Sequence, residues 1–141
     1  MGQKRGALVV WLLLLSTLLT QVLVEVEANS FFPKSTVVIS NQIEGGAKLL
    51  VHCKSANDDL GVRWLDPGKS FDWTFYPHFF TYTLFFCAFR WEVGAHLKWF
   101  DIYKQQRDDE VCKYCHWAIR RDGPCLAVPG SEMCYHYRDK L

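Results

Sequence analysis

Six cysteines constrain this chain more than any other feature, because Cys53, Cys87, Cys112, Cys115, Cys125 and Cys134 all lie behind an N-terminal stretch that reads as a secretion signal. Lys4 and Arg5 make a short basic start, no residue from 6 to 24 is charged, and Ala7 to Leu15 is almost wholly apolar. Ser16, Thr17, Thr20 and Gln21 then shorten the apolar core, and Val26-Glu27-Ala28 sets an apolar and a small residue at the third and first positions before a cleavage point. The uncharged run could just span a bilayer as an uncleaved anchor. The polar interruptions favour a signal peptide, residues 1–28, cleaved after Ala28. With no second long apolar run, residues 29–141 are expected to leave the membrane and to be extracellular. An even number of cysteines in an oxidising compartment implies a disulfide framework, whose connectivity the count alone leaves open.

Residues 29–141 have the length of one domain. A core of that size is modest for its surface, so covalent staples would help it. The chain carries 16 Lys and Arg against 15 Asp and Glu, a net charge of +1, and nothing in that balance favours a nucleic-acid partner. There is no Asn-x-Ser/Thr acceptor, so no N-glycan is expected. Short β-rich runs separated by turn signals fill the mature chain. Thr36–Asn41 and Ala47–Cys53 flank Glu44-Gly45-Gly46 and read as a hairpin. Asp66-Pro67-Gly68 reads as a turn. Phe71, Trp73 and Phe75 alternate with polar residues and share a face. Thr81–Trp91 is apolar on both faces, as a central strand or one under a second layer would be. Phe100 and Ile102 share a face of the next run; Cys115, Trp117 and Ile119 alternate with His116, Ala118 and Arg120; and Asp122-Gly123-Pro124 turns the chain into Cys125–Val128. About eight strands at roughly ten-residue spacing predict an all-β fold, a small antiparallel β-sandwich stabilised by disulfides. Phe71, Trp73, Phe75, Phe85, Phe89, Trp117 and Ile119 are the expected core.

The motifs that could carry chemistry are weak. Cys112-Lys113-Tyr114-Cys115-His116 has the Cys-x-x-Cys-His form of a c-type haem site. Yet it sits in a strand-like alternation, and a second axial ligand is wanting, since Met133 is the one methionine after residue 28. A Cys₄ zinc site from Cys112, Cys115, Cys125 and Cys134 is disfavoured by the oxidising compartment and by the loose spacing of the second pair. A thioredoxin-like centre would need an α/β setting. Glu92 and Glu110 could pair as glycosidase carboxylates, but nothing fixes their geometry. No catalytic residue, cofactor or metal ligand is therefore expected. Two charge-rich stretches remain. Asn57, Asp58 and Asp59 follow a strand, and Arg107, Asp108, Asp109 and Glu110 separate two others. Such residues mark turns for local reasons, and loops on a rigid sandwich are also where recognition is displayed.

Taken in order, several blocks resemble the plant self-incompatibility S1 family, the S-protein homologues. These are Val51-His52-Cys53-Lys54-Ser55, Asp58-Asp59-Leu60-Gly61, Thr83-Leu84-Phe85-Phe86-Cys87, Phe100-Asp101-Ile102-Tyr103, Arg107-Asp108, Cys112 and Cys115 with Trp117 and Ile119, and Gly123-Pro124-Cys125. The resemblance spans about residues 36 to 128. It implies a small secreted plant protein with a disulfide-held β-sandwich and no enzymatic activity, and its founding members are stigma-secreted ligands recognised through a cell-surface partner. The expected partner is accordingly a cell-surface receptor or another extracellular protein, met by a monomer. The founding pattern has cysteines matching Cys53, Cys87, Cys112 and Cys115. Cys125 and Cys134 are an addition seen in many homologues, which implies that they pair together, leaving the other four to tie the strands near Cys53 and Cys87 to the Cys112/Cys115 segment. The chain reads closer to the homologues than to the founding ligands. A ligand displaying Asn57–Asp59 and Arg107–Glu110, the second loop foremost, is the leading expectation, with Arg107 and Asp108 as surface residues whose loss spares the fold. A defence or wall-associated protein acting on microbes or polysaccharide through aromatics such as Trp99 and Tyr103 is the rival.

Overall fold

The structure is a computed structural model that describes residues 2–31 and 33–139. It divides into two units, residues 1–33 and 34–141. The first is a helix, α1 (Gly2–Phe31), whose Gly2–Val22 part is long and apolar enough to cross a membrane by length and composition. Between Gly2 and Val22 the apolar residues surround the axis on all sides rather than forming one face, as in a lipid-inserting segment.

The second unit is a two-sheet sandwich. Its strands are β1 (Ser35–Asn41), β2 (Leu49–Lys54), β3 (Asp59–Leu65), β4 (Ser70–Phe75), β5 (Leu84–Arg90), β6 (Lys98–Lys104), β7 (Tyr114–Ile119), β8 (Pro124–Val128), β9 (Ser131–Cys134) and β10 (Arg138–Asp139), with one short helix, α2 (Gln105–Asp108), between β6 and β7. One sheet has the order β4-β1-β7-β8-β9, the other β10-β6-β5-β2-β3. β3 and the short β9 and β10 are strands that the sequence reading did not name. All pairings are antiparallel except β1 with β7, which is parallel.

The hairpin expected of Thr36–Asn41 and Ala47–Cys53 does not form. β1 pairs with β4 and β7, whereas β2 pairs with β3 and β5 in the opposite sheet. Residues on both faces of β1 are buried, so it needs a strand on each side and cover above and below. The chain crosses between sheets instead, and Asn41 holds the crossing. Its buried Nδ2 donates to the carbonyls of Ala47 and Leu65, both at 2.9 Å, and its Oδ1 accepts from the Ile43 N–H at 3.0 Å. The expected Asp66-Pro67-Gly68 turn is present, with Gly68 at φ 74° and Lys69 N–H donating to Asp66 O at 3.0 Å; it too links the two sheets.

The core lies where the faces meet. Val37 and Ile39, Val51 and Cys53, Phe85, Cys87 and Phe89, Ile102, and Cys115, Trp117 and Ile119 are all buried there. The alternations read from the sequence in β4, β5 and β7 place the expected side chains inward. Phe71, Trp73 and Phe75 are only half-buried, however, because β4 is an edge strand covered on one side. Gly123 is required by packing: a Cβ there would lie 1.7 Å from the Tyr135 carbonyl oxygen, where the β7–β8 turn passes under the chain leaving β9.

Candidate functional site, the loop end of the sandwich

Strand direction brings three connections to one end. Lys54 is opposite both Asp59 and Phe86, Leu84 is opposite Lys104, and Ser35 is opposite Phe75 while Thr36 is opposite Tyr114. Across the core, Phe75 meets Phe85 and Tyr103, both at 4.8 Å between ring centroids. The β2–β3 turn, the β4–β5 loop and the α2 segment before β7 therefore emerge together.

The β2–β3 turn is closed by its own polar groups. Ser55 N–H donates to Asp58 O at 2.8 Å, and the N–H groups of Asn57 and Asp58 donate to Ser55 Oγ at 3.3 and 3.0 Å. Asn57 and Asp58 are exposed. Asp59 accepts from the Gly61 N–H at 2.9 Å, from His52 Nε2 at 2.7 Å and from Lys54 Nζ at 3.0 Å. The Gly61 N–H first, then His52 and Lys54, hold its carboxyl well below the usual carboxylate range. A depressed carboxyl contributes in full above its ordinary value and is lost only as the pH falls through the depressed one. The Gly61 amide resonance should accordingly stay in place from neutral pH down through the ordinary Asp value of about 3.9. A shift that titrates near that value would contradict the contact.

The segment Arg107–Glu110 differs from expectation. Gln105–Asp108 forms a helical turn, and Asp108 is fully buried (0% exposed). Its carboxylate accepts from the Lys104 N–H at 2.8 Å and from Arg107 Nε and Nη2 at 2.6 and 2.8 Å. Arg107 also donates to Asp101 O at 2.8 Å, and its guanidinium lies 5.0–5.2 Å from the ring centroids of Phe100, Trp117 and Tyr135. Asp108 is therefore not the surface residue expected, and Arg107, its side chain 22% exposed, carries structural contacts that its charge did not announce. A guanidinium stacked on aromatic faces and paired at once is a favourable way to bury a charge. Asp109 binds Lys113 Nζ at 2.5 Å and lies 3.5 Å from the hydroxyl of Tyr103, whose pKa burial pushes up to about 12. Glu110 is exposed. Of the seven residues singled out, Asp108 alone is buried; Arg107 and Asp109 are partly exposed, and Asn57, Asp58, Asp59 and Glu110 are exposed.

Sequence reasoning missed what stands between them. The β4–β5 loop runs from Tyr76 to Thr83 and is held at its base: His78 N–H donates to Thr83 Oγ1 at 2.8 Å, Thr83 N–H to Gln105 Oε1 at 2.8 Å, Gln105 N–H to Thr83 O at 3.0 Å, and Gln105 Nε2 to His78 O at 3.1 Å. Above that base the loop turns its aromatics outward. Phe80 is 94% and Tyr82 71% exposed, and Phe79 and Phe80 meet edge to face at 5.0 Å. Between the loop and the β2–β3 turn lies a groove of about 330 Å³ bordered by Asn57, Asp58, Tyr76, His78, Tyr82 and Phe86. The available signal was Pro77 ending the β4 alternation, followed by two adjacent phenylalanines that no strand could turn to one face.

The cysteines form three disulfides, Cys53–Cys87, Cys112–Cys115 and Cys125–Cys134, and no cysteine is free. The last pair is as expected. The first two correct the expected tie between the Cys53/Cys87 strands and the Cys112/Cys115 segment: Cys53 and Cys87 are direct cross-strand partners of β2 and β5, 4.0 Å apart at Cα, which makes each the other's nearest cysteine. In the Cys-x-x-Cys-His motif the two sulfurs are bonded to each other, and His116 points away from the core on β7. Tyr103, expected as an exposed aromatic, is fully buried.

Residues 36–138 match the family model described as plant self-incompatibility protein S1. Among characterised relatives, S-protein homolog 2 of Arabidopsis thaliana is 44% identical over 123 residues, covering 80% of this chain and 75% of the relative. S-protein homolog 29 of the same plant is 37% identical, with 80% and 82% covered. The fold is similar to a solved structure of a self-incompatibility protein homologue, from a family described as small, highly stable, secreted plant proteins. That likeness has a TM-score of 0.58 at 18% identity and covers 77% of this chain and 97% of that one.

Proposed function

The chain belongs to the plant self-incompatibility protein S1 family, and from that premise we propose that it is a secreted, non-catalytic ligand read by a cell-surface partner at the loop end of its sandwich. Secretion is supported by the N-terminal apolar helix, which fits a signal peptide, and by three disulfides, which persist in oxidising compartments. Cleavage after Ala28 is part of the same reading.

The observation that carries the ligand role is the exposed aromatic loop. Phe79, Phe80 and Tyr82 are held out by a hydrogen-bonded base, so burying them on a partner gains apolar area at little ordering cost. Exposed aromatics rimmed by polar residues have the composition of an interface hot spot. Asn57, Asp58, Asp109 and Glu110 supply the rim, where charge sets approach and register. The test is saturable binding of the labelled secreted protein to plant cells. Phe79→Ser with Phe80→Ser should weaken it at least tenfold, a loss of about 1.4 kcal/mol, while the denaturation midpoint holds. Unchanged binding by the folded double variant would overturn the assignment.

A further inference from the structure

We propose that the outer face of the β10-β6-β5-β2-β3 sheet binds an acidic polysaccharide, a chain built from uronic-acid sugars. This rests on secretion but not on the loop-end reading, and the two surfaces are tested by different variants.

Strand pairing lays out the face. One row crosses Trp64, Leu50 and Arg90; the next crosses Val62, His52, Ala88, Trp99 and Arg138. Lys54 and Phe86 form a third, and Leu84 lies opposite Lys104 at its edge. The inner faces of these strands are committed to the core, and nothing from the described fold covers the outer one: Trp64 is 57% exposed, Val62 equally so, and Phe86 and Trp99 are partly exposed, their rings 6.1 Å apart. Three strand spacings separate β3 from β6, so Trp64 and Trp99 are offset by roughly 14 Å across the sheet and, lying in neighbouring rows, by roughly 7 Å along it. That is a flat platform spanning several sugar rings, and pyranose faces stack on aromatic planes as other apolar faces do.

Charge selects the kind of sugar. The face carries four cations, Lys54, Arg90, Lys104 and Arg138, against two carboxylates. Both carboxylates are already held, Asp59 by His52 and Lys54 and Asp101 by Arg138. Arg90 and Lys104 are in no ion pair among the described residues. A chain that is nearly neutral overall thus carries a net positive charge on this aromatic face. Arg binds carboxylates in a planar, bidentate manner, which suits a uronate lying beside a stacked ring. Neutral polysaccharide would leave these cations unused.

Native electrophoresis of the secreted protein through gels containing polygalacturonate tests this. Retardation is expected with polygalacturonate, falling as salt rises, and not with fully methyl-esterified polygalacturonate or a neutral β-glucan. Arg90→Glu should raise the apparent Kd at least tenfold, Trp64→Ala should do the same, and Arg90→Lys, which keeps the charge but loses the bidentate fork, should cost less than Arg90→Glu. Phe79→Ser with Phe80→Ser should leave retardation unchanged. Both sites are on the surface, and a matching near-ultraviolet circular dichroism spectrum certifies the fold; should Trp64→Ala misfold, Arg90→Glu against Arg90→Lys decides. Equal retardation by the neutral glucan, unchanged retardation of folded Arg90→Glu, or tighter binding to anionic phospholipid vesicles than to polygalacturonate would each overturn the proposal.

Discussion

Replacing Asp108 with Ala should destabilise the domain by about 3–5 kcal/mol, the cost of stranding one partner of a buried ion pair. Asp108 is completely enclosed, and its carboxylate receives three hydrogen bonds, two of them from Arg107. Without it, the guanidinium keeps its place among Phe100, Trp117 and Tyr135 but loses its counter-charge. The Lys104 N–H also loses its acceptor, and a buried unpaired donor costs about 1–3 kcal/mol by itself. Urea denaturation should show a lower midpoint with an unchanged slope, since the exposed area on unfolding is the same. Arg107→Met, which keeps a long side chain against the rings, should recover part of the loss when added to Asp108→Ala, because no isolated charge then remains. A folded Asp108→Ala protein with a wild-type midpoint would show that the pair is not holding α2 in place.

Breaking the disulfides one at a time should produce a ranked loss. The sequence separations are 34 for Cys53–Cys87, 9 for Cys125–Cys134 and 3 for Cys112–Cys115. Loop-closure entropy in the unfolded chain then gives roughly 4, 3 and 2 kcal/mol for paired Cys→Ala replacements, in that order. Together these approach the whole stability of an ordinary domain, about 5–15 kcal/mol, so the fully reduced protein should unfold at room temperature. Cys53–Cys87 carries the largest share because it joins the centre of one sheet across a loop containing β3 and β4, which belong to different sheets. Thermal or urea midpoints of the three double variants check the ranking. If removal of Cys112–Cys115 proves the most damaging, that bridge acts by shaping the chain around α2 rather than by closing a loop.

Much of the fold was legible because it is local. Alternation in β4 and β7 and the doubly apolar run of β5 each depend on a strand's period of two, which the residues display without knowing their neighbours. The all-β class, the secretory start and the oxidised cysteines follow from the same kind of evidence, as does the turn at Asn57 and Asp58, which hands the chain to β3 at Asp59.

Partnership between distant strands was decided only by tertiary structure. Thr36–Asn41 beside a Gly-Gly turn has every local mark of a hairpin arm, yet burial on both faces sends β1 to the middle of a sheet, parallel to a strand far along the chain. The Cys53–Cys87 bridge follows from the register of β2 with β5, which depends on the whole sheet. Arg107 and Asp108 look like solvated loop residues because charge alone predicts exposure; three aromatic rings from β6, β7 and the chain after β9 are what make a buried cation tolerable, and no stretch of sequence near Arg107 announces them. The exposure of Phe79 and Phe80 is the converse. Apolar residues predict a core, whereas here a hydrogen-bonded base formed with Gln105 sets the loop that carries these two into water. A sequence records each residue's preference for burial, whereas the fold decides which preferences are overruled, and the residues overruled here are those at the loop end.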